Sequence, residues 1–212
     1  MSESRLREEI ASFGALLTGL GMAHGSTGNI SVRQDDGSWL LTPTNSRLGR
    51  LDPARIARLD ADGRHVDGDP PSKEAFLHRC VYEMRGDARA IVHLHSTHSV
   101  AVSCLAGIDE DDVLPPLTAY YVMRVGRLPL VPYFPPGDTR LAAAVRQVAA
   151  AHAAVLLANH GPVVAGSSLD AAVGAIEELE ATARLFLLLQ GHATRPLGAA
   201  EVAELEARYP RS

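Results

Sequence analysis

Ala90-Ile91-Val92-His93-Leu94-His95 is an apolar run that ends on two histidines spaced two positions apart. A short continuous apolar stretch of this kind reads as a buried strand with the histidines at its end. Side chains alternate across a strand, so His93 and His95 share one face about 6–7 Å apart, from a rise of about 3.3 Å per residue. Two imidazoles on one face hold a divalent metal only if other segments complete the shell. Taken alone, such a pair is more often two separately satisfied histidines than a metal site. Two further segments change its weight: Glu74 in Pro71-Ser72-Lys73-Glu74 and His160 in Asn159-His160-Gly161, each at the mouth of a regular element.

On either side of this strand the chain alternates helices and strands. Leu6, Ile10, Phe13, Leu17 and Leu20 recur at helical spacing and predict an amphipathic helix over 3–20, ended by Gly19 and Gly21. Residues 28–33 and 38–42 read as a hairpin about Asp35-Asp36-Gly37, and residues 43–71 as loops with short strands. Ser72 is a candidate N-cap for a helix to about Met84, with Glu74 in its first turn. Ser96 or Thr97 is expected to cap a helix over 97–106. An acidic loop over 109–116 leads to a segment bearing Tyr120 and Tyr121. A strand follows over 128–133, then an alanine-rich helix to about residue 151. Strands at 154–158 and 162–165 flank Asn159-His160-Gly161, and helices follow over 170–190 and 199–208. This alternation predicts an α/β or α+β fold, and the hairpins at 29–42 and 154–165 predict a mixed sheet with much antiparallel pairing. Nothing divides the chain, so residues 1–212 read as a single domain.

Composition narrows the function. With 212 residues, 46% of them hydrophobic, the chain can bury a sizeable core. Its net charge of -5 and lack of any basic stretch argue against nucleic acid as partner. The apolar run over 185–189 is too short and, with the charges upstream, too polar to span a membrane. The charged residues 1–10 are not a signal peptide, and two unpaired cysteines suit a reducing cytoplasm.

Nine histidines are many for such a chain, and most read blandly. His78, one turn after Glu74, reads as a hydrogen-bond partner of Glu74 or a core residue, and His98 as structural. His24, His65, His152 and His192 read as solvated. Tyr121 and Tyr133 are at least as good as core residues as catalytic ones, and Cys104 reads as a buried thiol. Gly28, Thr27, Thr44, Ser72 and Lys73 offer backbone N–H groups, hydroxyls and a cation, the chemistry of an anion pocket.

Gly28-Asn29-Ile30-Ser31, Pro43-Thr44, Pro71-Ser72-Lys73-Glu74, His93-Leu94-His95 and Asn159-His160-Gly161 stand in the order and spacing of the class II aldolase/adducin family, which this sequence resembles over nearly its whole length. Within it, residues 44–53 and 112–123 look like the branch of 3-oxo-tetronate 4-phosphate decarboxylases. The resemblance implies one Zn2+ (or another divalent ion) per subunit, held by His93, His95 and His160, with Glu74 as an acid/base group that also approaches the metal. It implies the three-layer α/β/α fold with a mixed, largely antiparallel central sheet, and a phosphate pocket of Gly28, Asn29, Thr44, Asn45, Ser72 and Lys73. It further implies Tyr120 as proton donor from a neighbouring subunit or loop (Tyr121 in second place), and a homotetramer. Asn45 stands where the sugar-phosphate aldolases usually have glycine, and Lys73 where they have serine. The resulting positive pocket suits a small phosphorylated sugar acid.

A β-keto acid loses CO2 readily only where the electrons left behind have a sink, and zinc chelated by the keto and hydroxyl oxygens of an ene-diolate is such a sink. The implied reaction gives dihydroxyacetone phosphate and CO2. The rival enzyme readings are a class II sugar-phosphate aldolase, which makes the same ene-diolate, and a pentulose-phosphate 4-epimerase. A rival of another kind is a non-catalytic adducin-like interaction module, which has no use for the complete set of Glu74, His93, His95 and His160.

Overall fold

In the computed structural model, which describes residues 2–135 and 137–210, the strands gather into one sheet. They are β1 (Asn29–Arg33), β2 (Trp39–Leu41), β3 (Ala57–Leu59), β4 (His65–Asp67), β5 (Ala90–His93), β6 (Leu130–Val131), β7 (Ala154–Leu157) and β8 (Gly161–Gly166). Their order is β4-β3-β2-β1-β5-β8-β7-β6. Every pairing is antiparallel except β6 with β7, so the expected mixed and largely antiparallel sheet is what forms. The central strand β5 lies between β1 and β8, with His93 opposite Asn29 on one side and Val163 on the other.

The helices are α1 (Glu3–Gly19), α2 (Ala75–Met84), α3 (Thr97–Ser103), α4 (Ala119–Arg124), α5 (Arg140–Ala149), α6 (Leu169–Leu188) and α7 (Ala199–Arg208). They cover the sheet on two sides because its inner strands present apolar residues to both. Val92 and Leu94 face one core with Ile10 and Leu17 of α1 and Ile176 and Leu179 of α6. Ile91 faces the other with Leu77 and Val81 of α2 and Leu141 and Val145 of α5. Each such fully buried side chain contributes about 1.5–3 kcal/mol. Strand parity then puts His93 on the side of Ile91, the side where α2 begins.

Several element ends differ from expectation. Ser72 does not cap α2, which starts at Ala75 with Glu74 itself in the N-cap position. The Ser72 N–H is bonded to the Thr42 carbonyl and Pro43 bridges to Pro71, which keeps this segment extended until Glu74. Ser72 Oγ instead accepts the Glu74 N–H at 3.3 Å. Neither Ser96 nor Thr97 caps α3 with its side chain. The carboxylate of Glu180 on α6 takes that place, accepting the His98 and Ser99 N–H groups at 2.9 Å each. The strand expected over 128–133 shortens to two residues, β6.

Candidate active site

Two glycines let distant backbones meet at the end of β5. The turn between β7 and β8 places Asn159 at φ 56° and Gly161 at φ 152°. A Cβ on Gly161 would lie 2.2 Å from the Leu94 carbonyl oxygen, so only glycine lets this turn lie against the β5 end. Gly28 has φ 79°, and a Cβ there would stand 2.9 Å from the His93 carbonyl oxygen. The loops before β1 and after β7 are thus both pressed onto the segment that carries the two histidines.

The result is a cluster of three imidazoles from two segments. His93 Nε2 lies 3.2 Å from His95 Nε2 and 3.3 Å from His160 Nε2. The rings stand edge-on, with centroids 4.6–5.0 Å apart. His93 is fully buried, and its Nδ1–H donates to the Pro162 carbonyl at 2.8 Å, which leaves the Nε2 lone pair facing the cluster. Burial lowers the pKa of His93, and burial together with His93 and His160 pushes His95 down to about 3. Both are neutral at pH 7, the form in which an imidazole nitrogen offers a lone pair to a metal. A divalent cation fits this donor set, in which ligand atoms of His93, His95 and His160 all lie within 4.8 Å. Three histidines also leave coordination positions for a substrate.

Glu74 stands beside this triad rather than within it. Its Oε1 is 3.3 Å from His160 Nε2 and its Oε2 is 3.5 Å from His93 Nε2. Burial alone raises its pKa, but the adjoining His93 and His160 imidazoles and the hydrogen bond from Asn29 outweigh it, holding the carboxyl well below the usual carboxylate range. Asn29 Nδ2 donates to Glu74 Oε2 at 2.6 Å and to Ser72 Oγ at 3.2 Å. His78, 4 residues on and fully buried, does not reach Glu74; it bonds to Asn29 and Ser31. Burial pushes it down to about 3.

Two cavities share Glu74 and His95. One, of about 290 Å³, brings together all six expected phosphate residues: Gly28, Asn29, Thr44, Asn45, Ser72 and Lys73. Asn45 has φ 58°, a left-handed conformation that asparagine tolerates better than most residues, which explains how it stands in for glycine. Among the described residues no carboxylate forms an ion pair with Lys73. The second cavity, of about 580 Å³, is walled by His24, Thr97, Val100, Tyr133, Phe134 and Asn159 beyond Glu74, His95 and His160.

The other candidates divide, with Tyr133 and Cys104 placed differently from their readings. Tyr120 lines neither cavity; it is 61% exposed on α4 beneath the Arg124 guanidinium. Tyr121 is buried, whereas Tyr133 is 58% exposed and walls the second cavity instead of the core. Tyr133 follows β6, and the parallel pairing of Val131 with Leu157 brings it out beside Asn159. That pairing was the missing signal. His24 reads as a solvated loop residue and is exposed, yet it borders the same cavity. Cys104 is exposed at the end of α3, its Sγ accepting from Asn159 Nδ2 at 3.4 Å, rather than buried. His98 holds Glu180 at 2.8 Å, the structural part expected of it.

Comparison with known proteins agrees with this geometry. Residues 8–187 match the model of the class II aldolase and adducin N-terminal domain. The chain is 53% identical over 190 residues to the 3-oxo-tetronate 4-phosphate decarboxylase of Cupriavidus necator, covering 89% of this chain and 87% of that one. It is 48% identical over 205 residues to the enzyme of that name from Escherichia coli K12, covering 97% of both. The crystal structure of YgbL from Escherichia coli superposes with a TM-score of 0.94 at 48% identity, over 96% of this chain and 98% of that one. No helix among the described residues is long and apolar enough to cross a membrane. With a histidine triad gathered at the end of the central strand β5, a carboxylate beside it and a family match that spans both, the chain belongs to the class II aldolase and adducin family.

Proposed function

We propose that this chain is a zinc-dependent carboxy-lyase that converts 3-oxo-tetronate 4-phosphate to dihydroxyacetone phosphate and CO2. The observation that carries the reading is the sharing of Glu74 and His95 by two cavities, one of them holding Lys73. A substrate seated there has its phosphate at one end, its reacting carbons beside the histidines and its carboxylate towards the second cavity. The high identity to decarboxylases of this name supports the choice of substrate.

His93, His95 and His160 would hold the cation, which when bound supplies a Lewis-acid sink for electrons. In the reaction the bond from the carboxylate carbon to C2 breaks, CO2 leaves, and its electron pair stays over C2 and the neighbouring oxygen. C2 must then gain a proton. Glu74, ionised and desolvated, is placed to take the hydroxyl proton of the substrate and return it. Lys73, the Thr44 and Ser72 hydroxyls and the N–H groups around Gly28, Asn29 and Asn45 bind the phosphate. Tyr120 lies outside both cavities of its own chain, so as proton donor to C2 it acts on the site of a neighbouring subunit, within a homotetramer. The free, unbridged Cys80 and Cys104 fit a reducing cytoplasm.

The test is incubation of the zinc-loaded protein with 3-oxo-tetronate 4-phosphate while CO2 and dihydroxyacetone phosphate are recorded, with a ketose 1-phosphate in parallel. Equal release of both products is expected. No turnover of the keto acid, with aldehyde release from the ketose phosphate, would replace this reading by an aldolase.

A further inference from the structure

Behind Glu74 a row of polar side chains runs into the protein between β1 and α2. Asn29 and Ser31 sit two apart on one face of β1, and His78 and Tyr82 sit four apart on one face of α2, so the two pairs interleave. Tyr82 OH is 2.8 Å from Ser31 Oγ, and Ser31 Oγ is 2.7 Å from His78 Nδ1. His78 Nε2 makes a short contact with Asn29 Oδ1, and Asn29 Nδ2 lies 2.6 Å from Glu74 Oε2. Ser31 and His78 are wholly buried, Asn29 is 3% exposed and Tyr82 is 6% exposed.

Only one arrangement of protons satisfies this row. An ionised Glu74 accepts and cannot donate, so Asn29 must turn its NH2 towards it. Asn29 Oδ1 then faces His78, whose Nε2 must carry the hydrogen. In a neutral imidazole Nδ1 is then the acceptor, so the Ser31 hydroxyl donates to it. The remaining lone pairs of Ser31 receive the Tyr82 hydroxyl proton. All four bonds point towards the carboxylate, and bonds so aligned polarise and strengthen one another.

We propose that Tyr82, Ser31 and His78 are positioning residues for Glu74: through Asn29 they tie back Oε2 and leave Oε1, 3.3 Å from His160 Nε2, as the oxygen that exchanges the proton. The inference rests on the acid/base role proposed for Glu74. Beyond Asn29 the row reaches neither cavity, so it acts through the Asn29 amide, which holds Glu74 Oε2 at 2.6 Å and also donates to Ser72 Oγ at 3.2 Å.

The experiment is steady-state kinetics of the zinc-loaded protein with 3-oxo-tetronate 4-phosphate, with thermal unfolding recorded for every variant. His78→Leu is expected to lower kcat about ten- to a hundredfold, with KM changed by less than about threefold. His78→Gln, whose amide can donate to Asn29 and accept from Ser31, should recover most of that loss. Tyr82→Phe and Ser31→Ala should each cost about three- to tenfold, the worth of one hydrogen bond. In a Glu74→Gln background, His78→Leu should add nothing further to the loss of kcat, because its effect on proton transfer runs through the carboxylate. A second readout needs no turnover: 15N-labelled imidazole resonances of the metal-free protein should show His78 protonated at Nε2 and bare at Nδ1.

A His78 protonated at Nδ1, a kcat that the variants leave unchanged while stability falls, or a His78→Leu loss that adds in full to that of Glu74→Gln would each overturn the proposal. Should His78→Leu fail to fold, Ser31→Ala and Tyr82→Phe carry the test. If Glu74→Gln itself keeps its turnover, the acid/base role falls first. If it does not and the other variants turn over normally, only the positioning role falls.

Discussion

Replacing Gly161 by alanine should dismantle the histidine cluster without touching a histidine. The new Cβ would stand 2.2 Å from the Leu94 carbonyl oxygen, against an ordinary carbon–oxygen contact of about 3.3 Å. One backbone must therefore retreat by about 1 Å, several times the ~0.2 Å tolerance of a metal–ligand distance. Leu94 is flanked by His93 and His95, and Gly161 adjoins His160, so either retreat separates the ligands. The conformation itself, at φ 152°, adds about 1–3 kcal/mol of backbone strain for any residue with a side chain. We expect the Gly161→Ala variant to lose about 2–4 kcal/mol in urea unfolding of the metal-free protein. We also expect at least a hundredfold (~2.7 kcal/mol) weaker Zn2+ binding in competition with a chelator. Gly191→Ala is the control: φ is positive there too, at 80°, but nothing lies within 4 Å of the added carbon. That variant should lose only about 1–2 kcal/mol and keep its metal affinity. If the Gly161→Ala variant bound Zn2+ as tightly as the parent, the close approach of the β7–β8 turn to the β5 end would not be what assembles the site.

Further outcomes follow from the same geometry. Glu74→Gln should leave fold and metal binding largely intact while kcat falls about a hundredfold or more; near-normal turnover would remove Glu74 from the acid/base role. Lys73→Ala should raise KM about tenfold with little change in kcat, and less so as salt is added, since a charge-assisted phosphate contact is lost; an unchanged KM would place the phosphate elsewhere. Tyr120→Phe should lower kcat, and subunits carrying it, reassembled with Glu74→Gln subunits, should regain part of the activity; no recovery would argue against donation between subunits. Acid should weaken the metal-free protein. His78 titrates at about 3 when folded and His95 at about 3, both below the unfolded 6.5. The unfolded chain therefore binds more protons than the folded one across that range, and stability falls as pH drops from about 6.5 towards 3. Each displaced unit is worth about 1.4 kcal/mol, and the fully buried His78 dominates; a flat profile in urea titrations from pH 7.5 to 5 would contradict the buried, neutral imidazoles.

How much of this was legible beforehand varies with the range of the interaction. Helix and strand periods come from neighbours within one turn or one pleat, and α1, the β1–β2 hairpin, β7, β8 and α6 stand near their expected places. The reading failed at ends decided by distant partners. The start of α2 waits on the bond from Ser72 to Thr42, and the cap of α3 comes from Glu180, 81 residues beyond Ser99. The six phosphate candidates meet in one cavity because Asn29 opens β1 and the other five lie in loops that converge on it, next to a recognisable glycine, proline or cap.

By itself the sequence determined the chemistry available: two histidines on one strand face, a third between two glycine-permitted turns, and a glutamate next to a lysine. Such identities are local and survive any arrangement of the elements. Only the tertiary structure decided their use. The antiparallel seating of β1 and β8 on β5 set His160, Asn29 and Glu74 around His93, and the parallel β6–β7 pair sent Tyr133 to the site. The row from Tyr82 to Glu74 exists only because a strand and a helix about 45 residues apart present matching polar faces, as the Asn29–Glu74 contact shows. Pairing across such separations depends on which strands are neighbours, which no local pattern contains.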